Sequence, residues 1–312
     1  MRPHPALALL LLVSFGACRG APPAEDGPVV EARALDGREL LRPPLEPQVR
    51  AEREAALAVA REALERAPQD PDAWIWVGRR LGYLGRYREA EGCFAEGQAR
   101  FPADPRFPRH RGHRLITLRR FGEARRQLEL AAALFAGRPD EVEPAGLPNA
   151  AGIDVDWLGH SIQYHLGLAC YLQGDWRAAS EAFGTCLASS RNEDARCSAA
   201  DWLVLSLRRQ GRAAAARAVI DELAGGDVEV VEYAAYRDLL RHYAGDLDAD
   251  ALLAPGRAVG GVELCTRAYG AATWARLEGR GAEADALLDE LLAEDAWAAF
   301  GAIAAEADRA RR

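Results

Sequence analysis

The chain has 312 residues, 49% of them apolar, and a formal net charge of −8. That length suits one extended solenoid or two compact domains, and the acidic balance argues against a general affinity for nucleic acid or anionic membranes. Ala, Leu, Arg and Glu dominate while long β-branched runs are missing, a composition that favours helices over strands; all 39 basic residues are Arg.

The chain opens with Arg2 and an apolar run from Ala6 to Val13, too short to span a bilayer as a helix. Small residues and a cysteine follow, Phe15-Gly16-Ala17-Cys18, the order of a secretory signal peptide. The segment resembles the lipobox of bacterial lipoproteins, in which small residues precede a cysteine that is acylated and becomes the new N-terminus. Gly16, Ala17 and Cys18 match; Phe15 replaces the usual Leu. The resemblance implies removal of residues 1–17, lipidation at Cys18 and, because Arg19 rather than Asp follows, the periplasmic face of the outer membrane. A plain signal peptide with an incidental cysteine is the alternative. Residues 18–50, rich in Pro and Gly with mixed charge, read as a flexible tether. Glu52 to Ala67 is expected to form a lone amphipathic helix.

A repeat begins at Pro71. Trp74, Val77, Gly78, Leu81, Gly85, Tyr87, Ala90, Phe94 and Pro102 fall at repeat positions 4, 7, 8, 11, 15, 17, 20, 24 and 32. A second unit starts at Pro105, 34 residues on, with Gly112, Leu115, Phe121, Ala124, Leu128 and Ala131 in phase and Arg111 and Arg119 departing from it. A third starts near His160 (Leu166, Gly167, Gly174, Trp176, Ala179, Phe183). A fourth starts near Cys197 (Leu203, Leu207, Gly211, Ala216, Ile220), with Val204 in place of the helix Gly. A degenerate unit spans Tyr233 to Leu253, a last unit starts near Cys265, and Trp297 to Arg309 reads as a capping helix. A mid-helix Gly costs about 1 kcal/mol relative to Ala, so Gly78, Gly112 and Gly167 at one phase indicate close helix packing. The pattern resembles the tetratricopeptide repeat (TPR), which implies an all-α solenoid of about five to six helix pairs with a capping helix, with TPR 1–2 in 51–136 and TPR 3–6 in 160–312.

Residues 137–159 interrupt the array with three Pro and several Gly, which exclude a regular helix. Two readings stay open: a lid over the groove, with Leu147, Ile153 and Trp157 as apolar anchors, or a spacer. Nucleotide-binding, hydrolase and zinc-protease motifs are missing, so no enzyme and no cofactor is expected. His110 with His113, and His160 and His165 with Asp154 and Asp156, read as groove lining rather than metal ligands. Five cysteines follow Cys18, and a bridge between Cys186 and Cys197 is conceivable.

In a TPR array the first helix of each repeat lines the concave face. The resemblance therefore places Arg79, Tyr83, Arg106, Arg109, His113, Tyr164 and Tyr171 in the groove. Residues 105–138 hold nine Arg against two Glu, while residues 221–312 hold nineteen acids against nine Arg. The expected partner is a protein or peptide carrying an acidic group, since Arg forks suit carboxylates and phosphates, and Arg109 and His113 are its expected contacts. The chain is thus read as a protein-interaction scaffold of the cell envelope, similar to TPR lipoproteins of outer-membrane assembly and pilus machinery. The alternative is a periplasmic solute- or glycan-binding accessory lipoprotein.

Overall fold

The computed structural model describes residues 27–312 apart from 145–148, 150, 153, 226–229 and 233. The expected signal segment, Cys18, the loop anchors Leu147 and Ile153, and Tyr233 lie outside the described residues.

Part of the expected tether is ordered. Strands β1 (Val30–Arg33) and β2 (Glu39–Leu41) pair antiparallel, with Ala32 opposite Leu40 and Arg33 opposite Glu39. Ala32, Ala34 and Leu40 turn one face inward against Leu118 and Trp297. Burial of this small apolar face is what a Pro- and Gly-rich composition conceals. Glu31, 2% exposed, accepts from Arg42 Nε (2.9 Å) and from the backbone N–H of Arg88 (3.1 Å), which fixes the hairpin to the solenoid.

The remaining elements are helices. The first, α1 (Pro47–Arg66), stands alone. Six pairs follow: α2 (Pro71–Tyr83) with α3 (Tyr87–Arg100), α4 (Arg106–Thr117) with α5 (Phe121–Phe135), α6 (Leu158–Leu172) with α7 (Trp176–Ser189), α8 (Glu193–Arg209) with α9 (Ala213–Leu223), α10 (Ala234–Ala244) with α11 (Ala249–Val259), and α12 (Gly261–Leu277) with α13 (Gly281–Leu292). The last helix is α14 (Phe300–Ala310). The interruption therefore ends at Trp157, and the degenerate unit is a helix pair. Asp70, Asp175, Asn192 and Asp248 accept from the first-turn N–H groups of their helices, each cap contributing about 1 kcal/mol. No helix among the described residues is long and apolar enough to cross a membrane.

The repeat phase has a direct steric cause. A methyl group on Gly78 would overlap the ring of Phe94; on Gly112 it would sit 2.5 Å from Leu128, and on Gly167 2.7 Å from Phe183. Position 8 is thus the socket for the large residue at position 24 of the paired helix. The Ala at position 20 is fully buried in five units, at Ala90, Ala124, Ala179, Ala216 and Ala284. Where the socket is Val204 or Ala272, position 24 carries the aliphatic Ile220 or Leu288 and not Phe. The fold is an all-α TPR solenoid.

The turn between paired helices requires a left-handed residue. Gly85, Gly174, Gly211 and Gly279 take φ of 72°, 80°, 74° and 81°, a conformation that costs Gly nothing. In the second pair Arg119 holds the same turn with φ 63°, the one positive φ outside glycine among the described residues. The reason lies in its side chain, which reaches the last helix.

That helix does more than cover the end of the array. It packs on α12 and α13 and extends to α6, so it lies along the concave side formed by the first helices of the repeats. Arg119 Nη2 meets Glu306 at 2.8 Å with both groups buried, and donates to Trp297 O at 2.9 Å. Glu306 also accepts from the Leu35 N–H (2.5 Å), and Trp297 Nε1 donates to Leu41 O (2.8 Å). Arg209 pairs with Asp308, and Arg311 donates to Leu172 O (2.8 Å). The hairpin and the second repeat therefore hold the two ends of the solenoid together.

Candidate functional site

With α14 in place, the concave side has an open chamber of about 550 Å³ at the first two repeats. The inner face of α2 supplies Arg79, Gly82 and Tyr83, and α4 supplies Arg109, His110, His113 and Arg114. Tyr87 and Phe94 of α3 add aromatic surface, and the segment Asp295–Phe300 forms the opposite wall. Phe300 packs on His113 (5.3 Å between centroids), His165 (5.6 Å) and Tyr164 (6.2 Å) and closes the far end. The volume lies within the range of small-ligand pockets, roughly 300–1,000 Å³.

The loop after α5 closes another side. Its stem is short antiparallel pairing: Val142 bridges Trp157, Glu143 N–H donates to Asp156 O (3.0 Å) and Leu158 N–H to Glu141 O (2.9 Å). Trp157 lies under Arg191, 4.1 Å from the guanidinium carbon to the ring centroid. This stem brings Glu143 and Asp156 to the chamber wall, and Pro144 O accepts from Arg79 Nη2 at 2.7 Å.

The sequence-derived groove residues separate into three groups. Arg79, Tyr83, Arg109 and His113 share the chamber. Arg106 lies outside it, in a hollow beside the loop that precedes α4, paired with Asp72 (2.6 Å) and Asp104 (2.7 Å). Tyr164 and Tyr171 are buried at 8% and 0% exposure, so neither lines an open groove. Tyr164 is tied to Trp202 Nε1 and Tyr236 Oη, and Tyr171 to Arg209 and Tyr269 beside Asp308 of α14. Both sit under structure that the repeat pattern alone does not reveal.

Charge is matched unevenly. Arg109 Nη2 lies 2.9 Å from Glu143, whose other oxygen is 3.4 Å from His110 Nε2. Arg109 Nη1 contacts His110 Nδ1 at 2.9 Å. Arg109 Nε and Glu143 Oε2 have no hydrogen-bond partner among the described residues. Burial, then the neighbouring Arg109, holds His110 far below the ordinary imidazole range, and burial followed by Arg114 does the same to His113. Both rings are neutral, so His113 offers no positive charge to a ligand.

Arg53, Arg79 and Arg114 have no carboxylate within ion-pair distance among the described residues. Arg53 Nη1 donates to Tyr83 O (2.5 Å), Arg79 Nη2 to Tyr83 Oη (3.3 Å), and Arg114 Nη2 contacts His113 Nε2 (2.6 Å). The Arg114 guanidinium stands 5.3 Å from the Tyr87 ring centroid. Burial pulls its pKa below the usual arginine value, whereas hydrogen bonding to Asp104 pushes Arg106 up. The repeat pattern points to neither Arg53 nor Arg114: Arg53 lies outside the repeats, and Arg114 is off the positions that line a TPR groove.

Among the described residues the cysteines carry no bridge. Cys93, Cys170, Cys186, Cys197 and Cys265 are buried thiols outside any disulfide. Cys186 Sγ sits 3.2 Å from His160 Nδ1 instead of facing Cys197. Burial raises the thiol pKa and lowers His160 to about 4, the opposite of a thiolate–imidazolium pair. Among the described residues no three His, Cys, Asp or Glu side chains converge as a metal site.

No family model and no curated protein sequence matches the chain. Solved structures do. YrrB, a TPR protein with an unusual peptide-binding site, aligns with 14% identity and TM-score 0.44, covering 76% of this chain and 92% of its own. PilW, a widely conserved type IV pilus biogenesis factor, aligns with 17% identity and TM-score 0.45, covering 79% of this chain and 90% of its own. Cut9, in the hetero-tetramer Cut9–Hcn1 of the APC/C, aligns with 12% identity and TM-score 0.32, over 78% of this chain and 47% of its own.

Proposed function

We propose that the chain is a protein-interaction scaffold of the bacterial envelope, tethered at an acylated Cys18 and engaging an acidic group of its partner in the chamber of the first two repeats. One observation carries the reading. The arginines Arg119 and Arg209, on the side that α14 covers, are matched by its own acids, while Arg53, Arg79 and Arg114, where the concave side is still open, are matched by none among the described residues. Arg forks recognise carboxylates and phosphates through paired hydrogen bonds. The envelope location rests on the segment Phe15-Gly16-Ala17-Cys18; a Cys18→Ala protein that is processed normally and stays in the membrane fraction would contradict it.

The test of the scaffold reading is a photo-cross-linking side chain at Tyr83 in native cells, followed by mass spectrometry. A discrete protein adduct that disappears when Arg79 and Arg114 are both changed to Glu is the expected result. A mixture of adducts indifferent to that charge reversal would contradict it. The chamber's closure by Phe300 and by the loop stem favours a second reading, a solute-binding protein. Under that reading a small solute stabilises the chain by mass action and Tyr83 yields no protein adduct.

A further inference from the structure

The C-terminal turn of α2 gathers three cations around two residues. Arg53 binds the carbonyl of Tyr83, Arg79 binds its hydroxyl, and the Arg114 guanidinium lies so close to Gly82 that a methyl group there would be 3.3 Å from Nη1. A guanidinium offers five N–H donors, and the contacts of these three use only a few of them. Several other arginines with buried side chains are neutralised, Arg109 by Glu143, Arg119 by Glu306, Arg209 by Asp308 and Arg267 by Asp238 and Glu263, whereas Arg61 of α1 buries Nε and Nη2 with no hydrogen-bond partner among the described residues. Removing cations from water without a counter-charge is unfavourable, and three such guanidinium groups converging on one chamber mark a place where a ligand supplies the charge.

The chamber also limits what enters. Its far end is blocked by Phe300, and α14 fills the concave side beyond, so an extended chain cannot run through. Asp156 and Asp295 line the chamber together with Glu143, so four arginines face three acids. That balance suits one anionic group better than a polyanion. Tyr87 and Phe94 provide apolar surface beside it.

We infer that Arg79 and Arg114, with Arg53 beside them, form a closed-ended site for a single oxyanion group, a carboxylate or a phosphate, that enters end-on. The inference rests on the scaffold reading and names the chemistry of its site. Arg79 supplies donors from the surface of the chamber, Arg114 from its interior across Gly82, and Arg109, already held by Glu143, orders the loop stem.

The full mature chain, at low ionic strength, is titrated with sodium phosphate and separately with disodium succinate, against sodium chloride at equal ionic strength. A saturable rise in melting temperature is expected with at least one of them; which one identifies the preferred oxyanion. Arg79→Gln weakens the response about tenfold, the size of one charge-assisted contact, and Arg114→Gln does the same if it folds. Arg177→Gln, whose side chain is 82% exposed on α7, leaves it unchanged. No saturable response beyond that of chloride, an adventitious ion effect only, or an equal response in Arg79→Gln overturns the site. The Tyr83 adduct is scored separately: an adduct without an oxyanion response removes this inference and leaves the scaffold.

Discussion

Single residues decide how this chain departs from a plain repeat. Arg119 accepts a left-handed turn that costs a non-glycine residue about 1–2 kcal/mol, and holds Glu306 in return. Asp201 is a second case. It is 2% exposed, and its Oδ1 accepts from Tyr243 Oη at 2.8 Å. Burial raises its pKa to about 7, with the Tyr243 hydrogen bond opposing the rise. The unfolded chain ionises this group at the ordinary aspartate value, so between about pH 4 and 7 the folded state binds the extra proton. Stability is therefore expected to fall as pH rises through that window, by at most roughly 4 kcal/mol. Asp201→Asn should remove this component of the pH dependence, measured as denaturant midpoints at pH 5 and pH 8. An unchanged pH dependence would place Asp201 outside the titrating set.

At the scale of elements, the helix pairs were legible from sequence because their signal is local. Gly78 and Phe94 are sixteen residues apart and recur in phase, so periodicity reports their contact. The hairpin was not legible: three small or apolar residues on one face of two short strands leave no period against a Pro- and Gly-rich background. The placement of α14 was also hidden. Its anchors are Arg119 with Glu306, 187 residues apart, and Arg209 with Asp308, 99 residues apart. Four of the seven groove residues, Arg79, Tyr83, Arg109 and His113, reach the chamber because repeat phase fixes which side of a helix faces inward. Tyr164 and Tyr171 miss it because repeat phase says nothing of what covers that side. The pin itself is testable. Arg119→Gly relieves the turn but leaves Glu306 buried without its cation, a loss of about 3–5 kcal/mol for a broken buried pair. The net expected effect is a destabilisation of about 2–3 kcal/mol, largely recovered on adding Glu306→Gln. An Arg119→Gly chain as stable as the parent would show that the pin contributes nothing.

Across the whole molecule, charge polarity acquires a structural meaning. The Arg-rich second repeat and the acidic C-terminal third, evident as a contrast in sequence, meet in space through Arg119 and Glu306. Part of the polarity is therefore spent within the chain, and two further arginines of that repeat, Arg109 and Arg114, line the chamber. If Cys18 is the lipid anchor, eight residues lie between it and Gly27, a reach of at most about 30 Å. With that anchor, ordering of the hairpin would hold the chamber near the membrane surface.

Occupation of the concave side by α14 is the feature on which the chamber, its closed end and the unmatched arginines all depend. Amide hydrogen exchange of the full chain, followed residue by residue, tests it most directly, since exchange reports local opening free energies. The interior amides of residues 300–310 are expected to be protected to the same order as those of α6, residues 158–172. Exchange of 300–310 at the rate of an unstructured segment, with α6 still protected, would mean that the helix is not docked and that the groove is open along its length.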